Sequence, residues 1–330
     1  MSKVYKLGME HKKFCYDKKT EPAVIIQSGD VVVFETEDAN CGLIAKDEDV
    51  WPRFQDIYEA AGGCNPVTGP VYIEGAGEGD CLVVDILSVT PGPESGEGYT
   101  SIQSGVGVLE DINGTFQEPL TAKTRICCFE DGMVVMGTEE KGKCLRIPMN
   151  PFVGSIGVAP KYDRRASFYQ GSEWCGNIDI CDVKPGAQVV LPVNVEGGLL
   201  LMGDVHACQG DGEITGCALE CRGRIEARIT LVSRKEAGYF GCPQINSDEF
   251  IGSIGLPNCA DLSMAMKMGY TDLVRRMEAD YGIAQCDGYM LLNLAGQVQV
   301  GNEMSCLCKI RRSAPAFLSA VPFFAKGDCF

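Results

Sequence analysis

The densest group of side chains that could do chemistry surrounds His206. The ten residues that begin at Asp204 contain this imidazole, the amide of Gln209 and the carboxylates of Asp204, Asp211 and Glu213. An apolar stretch typical of a buried strand precedes them, and nearby glycines allow the chain to turn tightly. Several of these polar groups could therefore converge.

Imidazole and carboxylate groups together are the ligands of catalytic zinc sites. Such a site keeps one position open for water and lowers the pKa of that water to about 7, which makes a nucleophile at neutral pH. A carboxylate left over could accept the proton and pass it to a leaving group. An exposed acidic turn with a hydrogen-bonded histidine has the same composition, so these residues alone leave both interpretations open.

Two further polar pairs lie near predicted strands. Asp38 and Asn40 follow the strand of residues 31–36, so their side chains could point into a site at its end. Asn177 and Asp179 are two residues apart, so they would share one face of a strand. Each pair also has a purely structural explanation: an Asx turn for the first and alternation with solvent for the second.

The elements that must position these groups are mostly β-strands. Short segments rich in Val, Ile and Leu are bounded by turn residues, a texture typical of an all-β sandwich or barrel. They are residues 30–36, 71–74, 81–89, 125–129, 133–136, 188–195, 198–202 and 225–232. Helical patterns are scarce and are clearest at residues 270–279 and 287–296. We predict a mainly β fold, with a β-sandwich- or barrel-like body over residues 1–234 that carries the site and a small α/β portion over residues 235–330.

Composition and charge exclude several classes of protein. The chain has 330 residues, 45% of them hydrophobic, and a formal net charge of −16 from 29 basic and 45 acidic side chains. It has no clustered run of Lys and Arg, so we expect neither a nucleic-acid partner nor a membrane partner. No apolar run approaches the ~18 residues that a transmembrane helix needs.

The cysteines indicate a reducing compartment. The chain has 18 of them, spread over its length, and no two have C-x-x-C spacing. We interpret them as reduced and mostly buried thiols, which behave as small hydrophobic residues. The N-terminal segment has no apolar stretch of the kind found in signal peptides. We therefore expect a cytoplasmic protein.

Five ordered segments resemble the acetamidase/formamidase family. Residues 65–80 resemble its N-P-x-T-G-P-[IV]-x-[VI]-E-G-A-x-x-G-D motif, residues 151–160 its P-F-x-G-x-I-G-V-A-P turn, and residues 176–179 its G-N-[LI]-D strand. Residues 203–213 are similar to the signature G-D-x-H-A-x-Q-G-D-G-E, which is the most specific of these motifs. Residues 289–296 also resemble a segment near the end of the family's sequences.

The resemblance implies hydrolysis of a short aliphatic amide, such as formamide or acetamide, to its carboxylic acid and ammonia. It also implies a mostly β architecture, a homodimer and a divalent metal at the site. Zinc is favoured by mixed nitrogen and oxygen ligands, and calcium or manganese would suit a set dominated by oxygen. The metal ligands that follow from the matching positions are Asp38, Asn40, Asp204 and His206.

The matching positions also imply the residues that act on the substrate. Glu213, or else Asp211, would accept the proton of the attacking water and hand it to the departing ammonia. His206 belongs to the catalytic set as well. The residues that would bind the amide are Gln209 and Asn177.

Two other functions stay open at this point. A cysteine-nucleophile amidase would use one of the many thiols as the nucleophile and His206 as the base. Cys208 is the nearest candidate thiol in the sequence. A non-catalytic β protein could instead bind a metal or a small polar ligand. Sensitivity to a chelator separates the metal enzyme from the thiol enzyme, and metal binding without turnover would support the binding protein.

Overall fold

A computed structural model describes residues 2–109, 118, 120–236 and 238–313. Strands β1 to β12 are Val4–Leu7, Lys12–Lys13, Cys15–Tyr16, Val24–Ile26, Val31–Thr36, Val67–Ile73, Cys81–Pro91, Glu97–Ile102, Lys123–Glu130, Met133–Gly137, Cys144–Pro148 and Phe152–Gly157. Strands β13 to β23 are Arg165–Ala166, Gln170–Gly171, Cys175–Asn177, Gln188–Pro192, Leu200–His206, Glu220–Cys221, Gly223–Val232, Gln244–Asn246, Phe250–Gly255, Gly296–Val300 and Cys306–Arg311. Helices α1 to α3 are Phe54–Ala61, Leu262–Tyr281 and Gln285–Ala295.

Most strands belong to two large sheets. One has nine strands in the order β1-β5-β19-β7-β16-β20-β21-β23-β22. The other has twelve and runs from β11 through β10, β9, β8, β18, β17, β12 and β15 to β14, with β6 attached to β17 and to β2 and β4. Strands β3 and β13 form a small separate pair. Within the described residues neither sheet closes on itself, so the body is a sandwich and not a barrel.

The main core lies between the two large sheets. Phe34 of β5, Val84 of β7 and Ile225 of β19 come from the first sheet, and Ile156 of β12 and Met202 of β17 from the second. These side chains are almost fully buried. Removal of so much aliphatic surface from water is the main favourable contribution to folding. The prediction of a mainly β, sandwich-like body is confirmed.

The side chains of β17 change face in the middle of the strand. Met202 and Val205 both point into the main core, although an uninterrupted strand would put residues three apart on opposite faces. The change coincides with Asp204, whose φ of 60° lies in the left-handed region. On the paired strand β12, Val153 and Ile156 show the same change. Asp204 and the histidine at the end of β17 therefore lie on the face turned away from the main core.

The α/β portion shares a sheet with the body. Strands β20 to β23 continue the nine-stranded sheet beyond β16, and α2 packs against β21 and β23. Helix α2 starts earlier than its pattern predicts because the carboxylate of Asp261 accepts the N–H of Met264 as a cap. It ends at Gly282, whose φ of 70° is the usual left-handed C-terminal stop. The boundary between residues 234 and 235 stays a prediction, and residues 237 and 314–330 lie outside the described residues.

The helices of the described part also bear on membrane association. None of them is both long enough and apolar enough to cross a membrane. Helix α2 has 20 residues but carries charged side chains along its length, including Lys267, Arg275 and Asp280.

Gly203 allows β17 to lie directly against β6. A Cβ atom at this position would lie 2.5 Å from the carbonyl oxygen of Pro66 and 2.9 Å from the Cα of Val67. Both neighbours are backbone atoms, so a side chain would force the two strands apart. Because Gly203 immediately precedes Asp204, this contact also determines where the polar end of β17 lies.

We expect Gly203→Ala to lower the free energy of unfolding by about 2 kcal/mol or more, because the extra methyl group has no space. The measurement is urea denaturation followed by circular dichroism. Gly137→Ala is the matched control, since Gly137 also lies in a strand but a Cβ there meets nothing within 4 Å. The control should lose no stability and should gain up to about 1 kcal/mol, and equal losses for the two variants would contradict this account of β17.

Candidate active site

The side chains at the end of β17 form a buried ionisable cluster. His206 Nε2 lies 3.4 Å from Asp204 Oδ1 and 3.2 Å from Glu220 Oε2. Asp204 and His206 are completely buried, and Glu220 is 3% exposed. Glu220 comes from β18, where it lies opposite His206 in the antiparallel ladder. The register of these two strands therefore brings the carboxylate to the imidazole.

A second group of carboxylates shares the same histidine. Potential ligand atoms of Asp179, His206 and Glu213 lie within 4.8 Å of one another, as do those of Asp204, His206 and Glu220. Asp179 and Glu213 have φ values of 49° and 45°. Left-handed backbone is uncommon for residues other than glycine and concentrates at functional sites.

Several buried atoms of the cluster make no hydrogen bond of good geometry. They are Asp179 Oδ1, Asp204 Oδ1, Glu220 Oε2 and His206 Nε2. Buried polar atoms without partners are rare, and several carboxylates beside one imidazole are costly to bury without a cation. Carboxylate oxygen and imidazole nitrogen form the donor set of protein zinc sites. The cluster therefore fits a divalent metal ion.

Gln209 determines the orientation of the imidazole. Its Nε2 donates to the backbone carbonyls of Asp179 (2.8 Å) and Gly301 (3.0 Å). Because both amide hydrogens are used, Gln209 Oε1 is the acceptor that lies 3.0 Å from His206 Nδ1. The Nδ1 hydrogen serves this bond, which leaves Nε2 facing the carboxylates. The ring of Phe152 packs edge-on against the imidazole, with centroids 4.9 Å apart.

The second oxygen of Asp204 is held by two neutral donors. Asp204 Oδ2 accepts from Asn65 Nδ2 (3.0 Å) and from Ser155 Oγ (3.1 Å). Gly154, next to Ser155 on β12, presents bare backbone to the cluster. A Cβ on Gly154 would lie 2.7 Å from a carboxylate oxygen of Asp179 and 2.7 Å from one of Asp204. Glycine is therefore required here for the two carboxylates to approach the strand.

Asp179 is oriented by two asparagines. Its Oδ2 accepts from Asn177 Nδ2 (3.0 Å) and from Asn302 Nδ2 (2.8 Å). Asn177 Oδ1 in turn accepts from Asn65 Nδ2 (2.9 Å) and lies 2.7 Å from Ser155 Oγ, whose single hydrogen it shares with Asp204 Oδ2. The amide of Asn177 is thus occupied by protein groups on both its nitrogen and its oxygen.

Burial and mutual repulsion shift the ionisation of the cluster. Burial, together with the charge of Asp204, raises the pKa of Asp179 to about 7. Burial and the charge of Asp179 raise the pKa of Glu213 well above its ordinary value. Burial also raises the pKa of Glu220, although His206 opposes this. Burial alone would lower the pKa of His206, but the carboxylates of Glu220 and Asp204 raise it well above its ordinary value.

One backbone donor links the two glutamates. The N–H of Ala218 donates to Glu213 Oε1 (3.1 Å) and to Glu220 Oε1 (2.9 Å). A single shared N–H cannot satisfy two ionised carboxylates, so this arrangement favours the protonated form of one of them.

Asp38 and Asn40 lie in an adjoining network around Tyr99. Asp38 accepts from the N–H groups of Asn40 (3.0 Å) and Gly42 (2.9 Å) and from the hydroxyl of Tyr99 (3.2 Å). Asn40 Nδ2 donates to the same hydroxyl at 2.8 Å. Among the described residues, neither side chain belongs to the two groups of potential ligands. Tyr99 lies opposite Glu220 across β8 and β18, so the network supports that strand pair.

Two other candidates of the sequence lie apart from the cluster. Asp211 is exposed, and its Oδ1 accepts from Gln299 Nε2 at 3.3 Å. Cys208 is half-buried, and burial raises the pKa of its thiol, which therefore stays protonated at neutral pH. His206 Nδ1 is bonded to Gln209 and Nε2 faces carboxylates, so neither nitrogen is placed to take a proton from Cys208.

Several residues that contact the cluster were not predicted from the sequence. Glu220 stands in an otherwise apolar run, residues 217–221, and a lone carboxylate in a buried strand signals a buried partner. Asn65 and Gly154 lie inside segments that resemble the family but carry no obvious chemistry. Asn302 has no local signal, because it reaches Asp179 from the connection between β22 and β23.

A cavity of about 460 Å³ reaches the cluster. Its walls are the loop after β17 and strands β9, β10 and β11, and Gln209 and Glu213 are among its lining residues. Glu213 therefore contacts both the buried cluster and the space that a small molecule could enter.

The fold is very similar to the crystal structure of an acetamidase from Yersinia enterocolitica. The two chains are 29% identical and superpose with a TM-score of 0.83, over 94% of this chain and 92% of the other. The architecture and the connection of its strands are thus shared with a solved structure over almost the whole length.

Curated relatives and a family profile give the same classification. An acetamidase from Mycolicibacterium smegmatis is 30% identical over 51% of this chain and 54% of its own length. A formamidase from Methylophilus methylotrophus is 27% identical over 50% of this chain and 51% of its own. The chain thus spans about half the length of the curated relatives it matches. The profile of the Acetamidase/Formamidase family matches residues 9–171 and 166–310. The chain therefore belongs to the Acetamidase/Formamidase family.

Proposed function

We propose that this protein hydrolyses short linear amides to the carboxylic acid and ammonia. The observation that carries the proposal is the buried cluster of Asp204, His206 and Glu220, whose unpartnered atoms lie close to one another beside an accessible cavity. The names of the similar relatives, acetamidase and formamidase, support the same reaction. Perturbed ionisable groups in a cleft are characteristic of catalytic sites.

Asp204, His206 and Glu220 are the proposed ligands of a divalent metal ion. Zinc is favoured because one imidazole and several carboxylates suit it, and calcium or manganese would suit an oxygen-rich set. When bound, such an ion supplies Lewis-acid chemistry, which polarises a carbonyl and makes water nucleophilic at neutral pH. This assignment keeps Asp204 and His206 from the sequence analysis and uses Glu220 in place of Asp38 and Asn40.

Glu213 is the proposed general base and acid. It lies between the cluster and the cavity, and its raised pKa makes its carboxylate a stronger base than an ordinary one, so it can keep the proton between the two transfers. Glu213 takes the proton of the attacking water and gives it to the amide nitrogen as the C–N bond breaks. Ammonia then leaves instead of an amide anion, which is a very poor leaving group. Asp211, the other carboxylate considered for this role, is exposed and bonded to Gln299.

Gln209 and Asn177 act on the cluster in this proposal and not on the substrate. The polar atoms of Gln209 are used by His206 and by two backbone carbonyls, and those of Asn177 by other side chains. Their contribution is to hold the imidazole and Asp179 in place, as second partners of metal-binding residues commonly do.

Wild-type protein should release ammonia from formamide and acetamide, and a chelator should abolish this reversibly. His206→Ala and Glu220→Gln should lose both the metal and at least about 100-fold in kcat/KM. Glu213→Gln should keep the metal and lose about 100-fold or more in kcat, because it removes only proton transfer. Ammonia release and metal content are measured on the same samples.

Glu130→Gln is a suitable control, since this carboxylate is exposed and pairs with Arg146. Activity that survives chelation but stops in Cys208→Ala would replace the metal mechanism with a cysteine nucleophile. Metal binding without turnover of any amide would favour a non-catalytic binding protein.

The metal-free protein should become less stable as pH rises. Asp179, Glu213 and Glu220 have raised pKa values in the folded state, so the folded protein binds more protons than the unfolded chain between about pH 4 and about 7. The raised pKa of His206 acts in the same direction, because the stability from its protonated form is lost as pH rises.

Between about pH 5 and about pH 7.5, the free energy of unfolding of the chelated protein should fall by at least about 1.4 kcal/mol, the equivalent of one pKa unit. Added zinc should reverse most of this loss, because it replaces the missing protons as counter-charge. Urea denaturation at each pH, with and without zinc, provides the measurement. Stability that is flat or rises with pH without metal would show that the carboxylates are compensated in another way.

A homodimer and a cytoplasmic location complete the proposal. Helix α3 exposes Tyr289 (67%), Met290 (58%) and Leu294 (83%), an apolar surface of the kind that interfaces bury. A second copy of the chain is the proposed partner that covers this surface.

Every cysteine in the described residues is free, which suits a reducing compartment.

Leu294→Glu should convert a dimer to a monomer, because it places a charge in the middle of the apolar surface of α3. Tyr162→Glu is the control, since Tyr162 is also an exposed hydrophobic residue (70%) but lies in a loop outside α3. Sedimentation velocity measures both. A monomeric wild-type protein would refute the dimer, and a dimeric Leu294→Glu variant would place its interface elsewhere.

A further inference from the structure

We infer that the cavity beside the cluster selects neutral amides whose apolar acyl group is larger than an acetyl group over formamide and acetamide. The inference rests on the proposed function and names the substrate class of the same site. The cavity measures about 460 Å³. Pockets of about 300–1,000 Å³ commonly bury drug-sized ligands, which are much larger than acetamide with its four heavy atoms. Acetamide would therefore leave most of this space to water.

One wall of the cavity is an apolar face of the β9–β10–β11 meander. Val134 and Met136 are two residues apart on β10, so they share a face. Cys127 on β9 lies opposite Met136, and Ile147 on β11 lies opposite Val134. All four residues line the cavity. Cys127 and Val134 are each 1% exposed and belong to the main core, so an acyl chain would contact mainly Met136, which is partly buried, and Ile147, which is 37% exposed.

The loop after β17 forms the opposite wall, with its polar groups near the cluster. Gln209 and Glu213 connect the cavity to His206, whereas Leu219 is a buried apolar lining residue. Ile214 is 59% exposed and gives the outer part an apolar rim. An amide group at Glu213 would thus place its acyl chain against the meander. Apolar contact along that chain is worth roughly a fourfold gain in binding for each methylene buried.

The charge of the cavity excludes acidic acyl groups. Among the described residues that line it, none is a lysine, arginine or histidine. The two charged lining residues, Asp211 and Glu213, are both acidic. A substrate with a second carboxylate would lose its hydration without gaining a counter-charge. The preferred acyl group is therefore neutral as well as apolar.

The test compares kcat/KM of the intact, metal-loaded protein for formamide, acetamide, butyramide and hexanamide. We expect kcat/KM to rise about fourfold for each added methylene from acetamide to hexanamide. Glutaramate and 5-methylhexanamide form a matched pair with the same heavy-atom skeleton, one with a carboxylate end and one without. We expect glutaramate to react at least about 100-fold less efficiently.

Variants of the β9–β10–β11 meander test whether this wall causes the preference for longer acyl groups. Met136→Trp should lower the ratio of kcat/KM for hexanamide to that for acetamide at least tenfold, because the indole fills the space of the acyl chain. Val135→Trp is the matched control and should leave the ratio unchanged, since Val135 lies on the opposite face of the same strand. If Met136→Trp does not fold, Ile147→Trp at the solvent side makes the same test.

The outcomes separate the inference from the proposed function. Turnover of acetamide with no gain, or a loss, for hexanamide would overturn the inference and leave amide hydrolysis standing. Efficient turnover of glutaramate would also overturn it. If the metal-loaded protein turned over none of the amides, the proposed function itself would be overturned. A ratio that Met136→Trp and Val135→Trp change equally would show that the meander face does not contact the acyl chain.

Discussion

The site depends on one residue of β17, Asp204, at which the alternation of side chains between the two faces of the strand is interrupted. If Asp204 had ordinary strand backbone, the side chains that follow it would exchange faces, and the imidazole would enter the main core in place of Val205. The left-handed conformation of Asp204 keeps aliphatic residues in the core on both sides of it and turns the acid and the histidine the other way. Gly154 on the neighbouring strand makes this possible, because it leaves room for the carboxylates where any side chain would collide with them. One local backbone conformation thus serves packing and chemistry together.

The excess of buried acid is the second constraint. Asp179, Asp204, Glu213 and Glu220 surround one imidazole, and a fold can tolerate that only if protons or a cation balance the charge. The neutral donors around them, such as Asn65 and the N–H of Ala218, fix where the oxygens point without cancelling their charge. The surroundings are therefore rigid while the charge is left to be compensated, which is the condition expected of a site that binds metal and moves protons.

The sequence predicted the class of the fold, and it singled out several residues that the structure brings together around His206, because both depend on local signals. Alternating aliphatic segments predict strands, and the spacing around His206 brings Asp204, Gln209 and Glu213 within reach of one chain segment. Glu220, Asn65 and Asn302 were not predicted, since each reaches the cluster through strand pairing or a distant connection. Asp38 and Asn40, in contrast, were predicted as metal ligands but lie outside the two groups of potential ligands. They have suitable chemistry at the end of a strand, but their polar atoms are used around Tyr99.

Two contacts that reach across the chain limit how chimeras of this protein can be built. Gln209 donates to the carbonyl of Gly301, and Asp179 accepts from Asn302. The imidazole is oriented through an amide that is anchored on the connection between β22 and β23, far along the chain from the signature segment. A chimera that joined two family members near residue 234 would pair the histidine of one parent with the supporting carbonyl and asparagine of the other. The C-terminal portion is therefore not an interchangeable module. Segments that contain residues 203–213 and residues 301–302 should be inherited as one linked block in any shuffled library.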